Sequence, residues 1–563
     1  MGDISMQTNG AAGATGRERR RALLPLLGVG LALLLLAAAC GSSSSSGGGG
    51  GSTSGTIGDE GTPVDGGSLI MALPSAATGW NPHDSQWAQP ASFVGSSVLE
   101  PLATINGDLD AVPWLATSWT PNATFDQWTI KLRDKVTFQN GEAFDAKAVA
   151  LNINDATTAA LSSQAVKGLI TGATAVDDLT VQVTMSQAWA AFPSSFLNGQ
   201  SAMMMAPAML TSPDRGNQHP IGTGPFTFAS WDSSSIFKTV KNPSYWQAGL
   251  PHLNQLEFHV LADSSSQSNA LQTGDVNMVF TGSAEEANSL QSSYTVLKDW
   301  GSEPGMVITQ TLPEVNGTAN PLANPNARLA LAYATDRQAL ATAVGEGVQT
   351  PSSPFPPSSK WGLPEDQNGY VSFDLDKAKQ AVAQYKTDTG ESSLKFTLSA
   401  TADIDTQKVA QLAQGQWKEA GIDASIEQLE PTAFISKVVQ GNYEAAFFNI
   451  YSSPDPDQNY YFWSQSTANP VGQISINFTH FTNPQMQASL QTGRQSADFA
   501  TRKKAYDDVV VNQINANHVN IWTYSTPYSL IASPKVHGLQ EASQVPFGNF
   551  QPKTWLGALW LSQ

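Results

Sequence analysis

Polar and apolar residues alternate in several short stretches of the chain. In Trp128–Arg133 the apolar side chains fall at every second position, and the same pattern recurs at 179–185, 256–260 and 394–398. A period of two places successive side chains on opposite faces of a strand, so each stretch predicts a half-buried β-strand. The predicted strands are dispersed over the whole sequence.

Apolar residues recur at helical spacing between these strands. One stripe is formed by Leu329, Tyr333, Leu340 and Val344. Asn326 is its predicted N-cap, and Gly345 or Gly347 its stop. Further helices are predicted over 374–385, 406–420 and 502–515. Strands and helices mixed along the whole chain predict an α/β or α+β architecture without a repeat array.

The first 40 residues follow the order of a secretory signal. Arginines within 17–21 precede an apolar run from Leu23 to Leu36, which is followed by Ala37–Ala39. The apolar run is shorter than the roughly 20 residues that span a bilayer, so we predict a cleaved signal over 1–39 rather than an uncleaved anchor. Arg20 and Arg21 also fit a twin-arginine signal, so the export route stays open.

Cys40 is the only cysteine and directly follows the alanines. A single thiol excludes an intramolecular disulfide and a multi-cysteine metal site. The motif LAAAC resembles a bacterial lipobox, which implies cleavage before Cys40 and a diacylglyceryl group on its sulfur; an incidental cysteine near an ordinary cleavage site is the alternative. Residues 40–66 are mainly Gly, Ser and Thr, which predicts a flexible tether and a folded part that begins near Gly67.

Charge and motifs narrow the classes of function. The net charge of −18 disfavours nucleic acid and anionic lipid as partners. The chain contains no HExxH, nucleophile elbow or Walker motif, and its histidines show no metal-ligand spacing. Gly222–Gly224 begins like a dinucleotide loop, but Pro225 follows, and we interpret it as a tight turn. We therefore predict no enzyme, no metal and no cofactor.

One pair of acids leaves an alternative open. Asp455 and Asp457 flank Pro456 in a stretch rich in Asp, Pro and Ser, which is typical of a loop. A glycosidase pair, or a secreted hydrolase of another kind, stays as the alternative, because only the fold brings such carboxylates together.

An ordered series of stretches resembles the family 5 extracellular solute-binding proteins of ABC importers, the dipeptide, oligopeptide and nickel-binding group. The stretches lie at 100–102, 111–119, 128–154, 219–232, 241–261, 270–279, 326–340, 417–430, 451–463 and 533–539. The resemblance implies an α/β, two-lobed periplasmic-binding-protein fold of type II, in its large three-domain variant, with a ligand cleft between the lobes. Within these stretches we interpret Tyr245 and Trp246 as core or lobe-edge residues.

The resemblance also implies a division of the chain and a function. Lobe I would comprise 67–104, 220–312 and 525–563, with an inserted subdomain over 105–219, and lobe II would comprise 313–524. Such a monomer captures a small-molecule solute by closing its lobes and delivers it to the ABC permease. A lipid on Cys40 would hold it at the outer face of the cell membrane. A sensor or scavenging protein of the same fold is the alternative.

Candidate ligand-binding residues come from three places. They are Trp80, Asn81, Ser85, Gln86 and Trp87 on the first lobe, Tyr451, Ser452 and either Trp463 or Tyr460 on the second, and Tyr524 on the returning strand. Peptide-binding members carry an aspartate three positions before the Asp-Pro of the loop, where it pairs with the ligand's ammonium group. Ser452 stands at that position here and supplies no charge, so we expect a sugar, a modified peptide or another largely neutral solute.

Overall fold

The computed structural model describes residues 60–85, 87–166, 168–233, 235–539 and 554–562. The predicted signal, Cys40, nearly all of the predicted tether and Gln86 lie outside the described residues. The strands, in chain order, are β1 (Ser68–Leu73), β2 (Ala103–Ile105), β3 (Ala111–Pro113), β4 (Ala116–Pro121), β5 (Gln127–Leu132), β6 (Ile170–Asp177), β7 (Thr180–Met185), β8 (Phe226–Asp232), β9 (Ile236–Lys241), β10 (Gln255–Val260), β11 (Met278–Thr281), β12 (Thr295–Asp299), β13 (Pro304–Thr309), β14 (Glu314–Val315), β15 (Thr318–Ala319), β16 (Leu394–Thr401), β17 (Ile422–Leu429), β18 (Ala445–Asn449), β19 (Asn520–Ser525), β20 (Tyr528–Ala532), β21 (Val536–His537) and β22 (Trp560–Leu561).

Helices alternate with these strands. They are α1 (Gln89–Val98), α2 (Ala146–Ala156), α3 (Ser163–Val166), α4 (Pro207–Thr211), α5 (Ser264–Thr273), α6 (Ala284–Leu290), α7 (Pro325–Ala334), α8 (Arg337–Val344), α9 (Leu375–Thr389), α10 (Ile404–Glu419), α11 (Pro431–Val439), α12 (Tyr460–Trp463), α13 (Pro484–Gln495) and α14 (Phe499–Asp508). None of the helices among the described residues has the length and apolar character needed to cross a bilayer.

Short turns of 3-10 helix and two π-helical segments complete the secondary structure of the described residues. The 3-10 turns are Gln200–Ala202, Pro321–Ala323, Pro456–Asn459, Gln465–Thr467 and Leu556–Ala558, and the π-helical segments are Pro193–Leu197 and Val509–Asn515.

Three larger sheets organise the chain. The first has the strand order β12-β20-β11-β1-β10-β9-β8, the second β17-β16-β18-β13-β19, and the third β4-β5-β7-β6. We call the parts built on the first two sheets lobe I and lobe II, and the part built on the third the inserted subdomain. The predicted strands at 128–133, 179–185, 256–260 and 394–398 are confirmed as β5, β7, β10 and β16.

Lobe I is built around β1, which lies at the centre of its sheet. β1 pairs in parallel with β10 and with β11, which come from much later parts of the chain. Its apolar residues Leu69 and Met71 are fully buried, as are Leu256 and Met278 on the neighbouring strands. Burial of these aliphatic side chains drives the association of the separate stretches.

Lobe II has a parallel pair, β16 and β17, next to β18, which pairs with β13 antiparallel. Trp417 of α10 is fully buried and donates its indole N–H to Thr335 Oγ1 at 2.9 Å. The predicted helix at 326–344 is two helices, α7 and α8, because Asp336 accepts from Ala339 N and starts the second. The predicted N-cap Asn326 is wrong by two positions, since Asn324 accepts from Asn326 N.

The chain passes between lobe I and lobe II at two places, which we call the crossing segments. The first comprises residues 300–303, between β12 and β13, and the second residues 526–527, between β19 and β20. The two run side by side, since Thr526 N donates to Glu303 O at 3.0 Å. The lobe boundary at residue 312 stays a prediction. That boundary assigns β13 to lobe I, whereas strand pairing joins β13 to the lobe II strands β18 and β19.

Candidate binding site between the lobes

The first group of predicted site residues is packed inside lobe I. Trp80 is buried, and its ring lies 4.7 Å from that of Phe237 and 6.1 Å from that of Trp87. Trp87 is fully buried and donates its indole N–H to Gly79 O at 3.0 Å. The Trp80 indole nitrogen has no hydrogen-bond partner among the described residues. These two aromatic side chains belong to a ring cluster of the lobe.

Asn81 and Ser85 are held by a loop of the inserted subdomain. Asn81 Nδ2 donates to Arg215 O at 2.8 Å, and Ser85 Oγ donates to Asn217 Oδ1 at 2.9 Å. The Arg215 guanidinium pairs with Asp84 at 2.7 Å and with Asp155 at 2.8 Å. This ion-pair network, which the sequence reasoning missed, fixes the loop that carries both residues.

His83 completes the network from within the same loop. It is fully buried, and its Nδ1 lies 2.7 Å from Asp155 Oδ2. Burial opposes ionisation of Asp155, but hydrogen bonds from His83 and Arg215 outweigh it and lower the pKa of this carboxyl. The isolated histidine therefore has a structural partner. Among the described residues no group of three His, Cys, Asp or Glu side chains could hold a metal ion.

A small apolar pocket lies beside Trp80. Its lining includes Leu73, Val94, Trp231 and Phe258, all of lobe I. The room inside is about 10 Å³, which is close to that of a single water molecule. A solute of the expected size does not fit there, so the site must be sought where both lobes contribute.

Tyr451 and Ser452 follow β18 and lie beside the first crossing segment. Ser452 N donates to Ser302 O at 2.7 Å. Its hydroxyl group donates to Pro354 O at 2.6 Å, within lobe II. Tyr451 is partly buried, and burial together with the nearby Glu303 raises the pKa of its hydroxyl group. The structure therefore brings two predicted residues to the crossing.

The other predicted residues of lobe II differ in their surroundings. Tyr460 and Trp463 are buried; the Arg494 guanidinium lies 3.5 Å from the Tyr460 ring centroid, and Phe355 packs on Trp463 at 6.2 Å. Tyr524, on β19, is partly buried near the second crossing segment, and burial followed by the charges of nearby acids raises its pKa. Tyr524 thus joins Tyr451 near the crossing, whereas Trp463 lies in the lobe core.

Glu303 is the residue at the crossing that the sequence reasoning missed. It is only 3% exposed. The Asn449 amide donates to Oε1, and Oε2 is buried without a hydrogen-bond partner of good geometry among the described residues. Burial and then the charge of Asp299 raise the pKa of Glu303 to about 8, against the opposing effect of Tyr528 and Asn449. No sequence motif marks this glutamate, since only the fold buries it.

Asp455 and Asp457 form a turn that is already supplied with partners. Asp455 accepts from Asp457 N at 2.9 Å and pairs with Arg502 at 2.6 Å. Asp457 pairs with Arg494 at 2.8 Å. This capped 3-10 turn matches the loop interpretation. Both carboxylates are buried in ion pairs, which leaves no separate acid and base on a free surface.

The same turn joins lobe II to the inserted subdomain. Asp457 Oδ2 accepts from Trp189 Nε1 at 2.6 Å and from Ser195 Oγ at 2.8 Å. Gln458 Nε2 donates to Ser194 O at 2.7 Å and to Asn198 Oδ1 at 2.9 Å. We call these four bonds the interlobe latch. These bonds connect residues more than 250 positions apart and hold lobe II against the inserted subdomain.

The Gly222–Gly224 stretch serves close packing. A Cβ at Gly222 would lie 2.2 Å from Val98 O, and one at Gly224 would lie 2.7 Å from the same oxygen. The glycines therefore allow this turn to pass against the end of α1. The interpretation as a turn rather than a phosphate loop is consistent with this position.

Two α/β lobes joined by two crossing segments, with polar side chains gathered beside the crossings, define a two-lobed binding protein. The family model "Bacterial extracellular solute-binding proteins, family 5 Middle" matches residues 110–471, and the chain belongs to this family. Members of this family are transport binding proteins and not enzymes.

Individual relatives agree with this assignment. The chain is 27% identical over 450 residues to the "Glutathione-binding protein GsiB" of Pectobacterium atrosepticum, covering 78% of this chain and 85% of that protein. The periplasmic binding protein DppA of Helicobacter pylori, solved with peptide STSA, has a TM-score of 0.75 at 22% identity and covers 89% of this chain and 99% of its own. AgaA from A. tumefaciens R10, solved with agropinic acid, has a TM-score of 0.74 at 21% identity, with 88% and 99% covered. The predicted α/β type II periplasmic-binding-protein fold is confirmed.

Proposed function

We propose that the chain is the solute-binding subunit of an ABC importer, which captures a peptide-like or other small organic solute between its lobes and delivers it to the permease. The observation that carries this proposal is the pair of crossing segments, because they allow two lobes with separate sheets to close around a bound solute. Membership of a family of extracellular solute-binding proteins supports it. The solute is released chemically unchanged.

Lobe closure is the proposed functional step. The interlobe latch joins lobe II to the inserted subdomain. A solute shifts the balance between open and closed forms only through contacts that exist when both sides touch it. We therefore expect the closed form to become dominant when the solute binds.

We propose that Tyr451, Ser452 and Tyr524 face the solute, because they lie beside the crossing segments. The lobe I residues predicted from the sequence form the facing wall in this proposal, and Trp463 supports the loop from behind. These wall residues are Trp80, Asn81, Ser85, Gln86 and Trp87. The hydrogen bonds of Asn81 and Ser85 to residues 215 and 217, and that of Trp87 to Gly79, support a rigid wall.

The solutes of similar proteins support a small organic ligand. One relative is named for glutathione, one similar structure holds the peptide STSA, and another holds agropinic acid. We transfer the shared size and the organic character of these solutes to this chain. A peptide-like compound of a few residues, or a compound of similar size, is the proposed cargo.

A lipid on Cys40 is the proposed membrane anchor, which lies before the described residues. A diacylglyceryl group provides the two acyl chains that stable attachment requires. Radiolabelled palmitate should be incorporated into the wild-type protein and not into Cys40→Ser. The variant should also leave the membrane fraction. Equal labelling of both proteins would overturn the anchor without affecting the proposed cargo.

Native mass spectrometry of the protein recovered from its own host tests the binding function. We expect a stoichiometric adduct of a small organic molecule that is released unchanged on denaturation. Small-angle scattering should then show a smaller radius of gyration when the recovered molecule is added back. A solute that is converted to product, or lobes that never change their separation, would overturn the proposal.

A further inference from the structure

Glu303 lies where both lobes can reach one side chain. It ends the first crossing segment, and its backbone oxygen accepts from Thr526 N of the second segment at 3.0 Å. Asn449 of lobe II donates to its Oε1. Tyr528 of lobe I lies next to the same carboxyl group and acts on its ionisation. The carboxyl group therefore sits at the junction of the moving parts.

This carboxyl group is incompletely satisfied. Oε2 is buried without a hydrogen-bond partner of good geometry in the described part of the chain. The buried acids Asp455 and Asp457 each have an arginine, at 2.6 Å and 2.8 Å. For Glu303, in contrast, no nitrogen of a described Lys, Arg or His lies within 4.0 Å. Buried carboxyl groups are normally paired or fully hydrogen-bonded, so this one lacks a partner.

Further acceptors without partners lie on the adjoining segments. Ser302 Oγ and Asn459 Oδ1 are buried, and neither has a hydrogen-bond partner among the described residues. Ser302 precedes Glu303 directly, and Asn459 Nδ2 donates to Tyr451 O at 3.1 Å, beside the same crossing. An ammonium group offers three N–H donors and no acceptor. Glu303 Oε2 and the hydroxyl group of the adjoining Ser302, which can accept as well as donate, are therefore chemically matched to such a group.

We propose that Glu303 is the anionic subsite of the cleft, and that the solute carries an ammonium group which binds Glu303 Oε2. The inference rests on the proposed binding function and narrows its solute class. It corrects the expectation of a largely neutral solute: the negative charge that Ser452 does not supply comes from the crossing segment. The amino terminus of a short peptide and a primary amine of another organic solute share the required chemistry.

Proton linkage gives this subsite a measurable signature. The groups that face the carboxyl are Asp299 of β12, Tyr524 of β19, Tyr528 of β20 and Tyr451 after β18. None of them is a cation, and burial holds the pKa of Glu303 at about 8 in the free protein. A bound ammonium stabilises the carboxylate, so binding at pH 7 should release about one proton. Affinity should then fall about tenfold between pH 7 and pH 6.

The test uses the exported chain and matched pairs of probes. The probes are glutathione, the peptide Ser-Thr-Ser-Ala and a dipeptide library, each with a free and with an acetylated amino group. Binding is measured by calorimetry in two buffers of different ionisation enthalpy, for wild type, Glu303→Gln and the control Glu257→Gln. Glu257 is a partly buried glutamate in the lobe I sheet, paired with Lys238 and away from the crossing segments.

We expect acetylation to lower the affinity of the amines about 30-fold or more in wild type and in Glu257→Gln. The substitution Glu303→Gln should lower the affinity of the free amines by a similar factor, and acetylation should have little further effect in that variant. Proton release should disappear in Glu303→Gln only. Acetylated and free probes that bind equally well would overturn the anionic subsite and leave the binding function intact. Binding of no probe would overturn the proposed peptide-like cargo and this inference with it.

A measurement that needs no solute keeps the subsite falsifiable. Infrared difference spectra between wild type and Glu303→Gln should contain a protonated carboxyl band at pH 6 that disappears by pH 9. Absence of this band at pH 6 would mean that the carboxylate has a cation or donors in the free protein. The subsite would then be already filled, and the proposal would fail whatever the probes do.

Discussion

Two glutamates of this chain are almost completely buried but differ in the number of hydrogen-bond donors around their carboxyl groups. Glu100 is 0% exposed and accepts from Trp114, Thr223, Tyr245 and Trp246 at 2.7 to 3.0 Å. Glu303 is 3% exposed, accepts from the Asn449 amide and leaves Oε2 without a well-aligned donor. Donors offset part of the cost of burying a carboxyl group. Burial still raises the pKa of Glu100 against its four donors, and it raises the pKa of Glu303, which has fewer donors, to about 8. The comparison separates a frame residue from the residue that we propose to bind the solute.

The sources of the donors explain the difference. Those of Glu100 come from Trp114 directly after β3, from Thr223 in a turn and from the aromatic pair after β9. The aromatic donors pack in or against the hydrophobic core that includes lobe I. The surroundings of Glu303 come from both lobes, which separate on opening in the proposed mechanism. Asn449 and Tyr528 act on the Glu303 carboxyl group, but neither carries a positive charge, so in the proposal a cationic group of the solute completes the site on closure.

The largest expected effect is on the frame residue. Glu100→Ala leaves the donors of two indoles and two hydroxyl groups unpaired in the core, so we expect the free energy of unfolding to fall by about 4 kcal/mol. Urea unfolding followed by tryptophan fluorescence measures this loss. Glu257→Ala, which removes a partly buried glutamate from the same lobe, should cost about 1 kcal/mol or less. A loss below 1 kcal/mol for Glu100→Ala would contradict the four-donor arrangement.

Glu303→Gln should have the opposite sign at high pH. Because the folded pKa of about 8 lies above the unfolded value near 4.5, the native state binds more protons between these values. The protonated Glu303 carboxyl group therefore contributes its full share to the free energy of unfolding below pH 4.5, and this contribution is lost as the pH rises through 8. The amide has no such dependence, so solute-free Glu303→Gln should be ~2 to 4 kcal/mol more stable than wild type at pH 8.5.

Chemical unfolding at pH 4.5, 6.5 and 8.5 measures the difference in the free energy of unfolding between Glu303→Gln and wild type. We expect it to be near zero at the lowest pH and to grow with pH. Glu100→Gln is the matched variant, because an amide there meets donors with its own N–H groups and should destabilise the protein at every pH. If Glu303→Gln were less stable than wild type at pH 8.5, Glu303 would have to resemble Glu100.

The alternating strands could be predicted from sequence because a strand with one buried face alternates apolar and polar side chains. β5, β7, β10 and β16 were found in this way. The helix at 326–344 was predicted as one because its apolar stripe continues through Thr335 and Asp336. The cap at Asp336 depends on one side-chain hydrogen bond, which periodicity does not reveal.

The site was harder to predict, for a physical reason. Glu303 meets Asn449 across 146 positions, and its burial depends on a chain crossing that no local pattern marks. Trp80 and Trp87 were proposed for the site because they are aromatic, yet a core ring and a cleft ring have the same sequence appearance. The loop at Tyr451 and Ser452 lies at the crossing, and there the resemblance to a family provided the information.

Ser452→Asp asks whether the charge can be moved from the crossing segment to the loop. If the loop resembles that of peptide-binding relatives, affinity for peptides with free amino termini should rise about tenfold, which corresponds to about 1.4 kcal/mol. Stability should fall by about 1 kcal/mol, because Pro354 O loses the hydroxyl donor at 2.6 Å. Calorimetry with free and acetylated peptides measures the gain, and Ser453→Asp is the neighbouring control. No gain would mean that this loop does not face the amino terminus.

The smallest expected effect compares one hydroxyl group at each glutamate. Tyr245→Phe removes one of the donors of Glu100, at 2.7 Å, and should cost about 1 kcal/mol of stability without changing solute affinity. Tyr528→Phe keeps the ring that stacks on Phe280 at 4.9 Å but removes a hydroxyl group that lowers the pKa of Glu303. The carboxyl should then titrate at still higher pH, and ammonium probes should bind about threefold more weakly at pH 7.

The two glutamates are alike in their burial, and the two tyrosine variants therefore distinguish their roles. Calorimetry at pH 7 and pH 8.5 should show that the loss of solute affinity in Tyr528→Phe becomes smaller as the pH rises. At the higher pH Glu303 is largely ionised with or without the hydroxyl group. Tyr245→Phe should match wild type at both pH values. A pH-independent loss in Tyr528→Phe would show that its hydroxyl group contacts the solute directly, and an affinity loss in Tyr245→Phe would show that the frame around Glu100 also shapes the cleft.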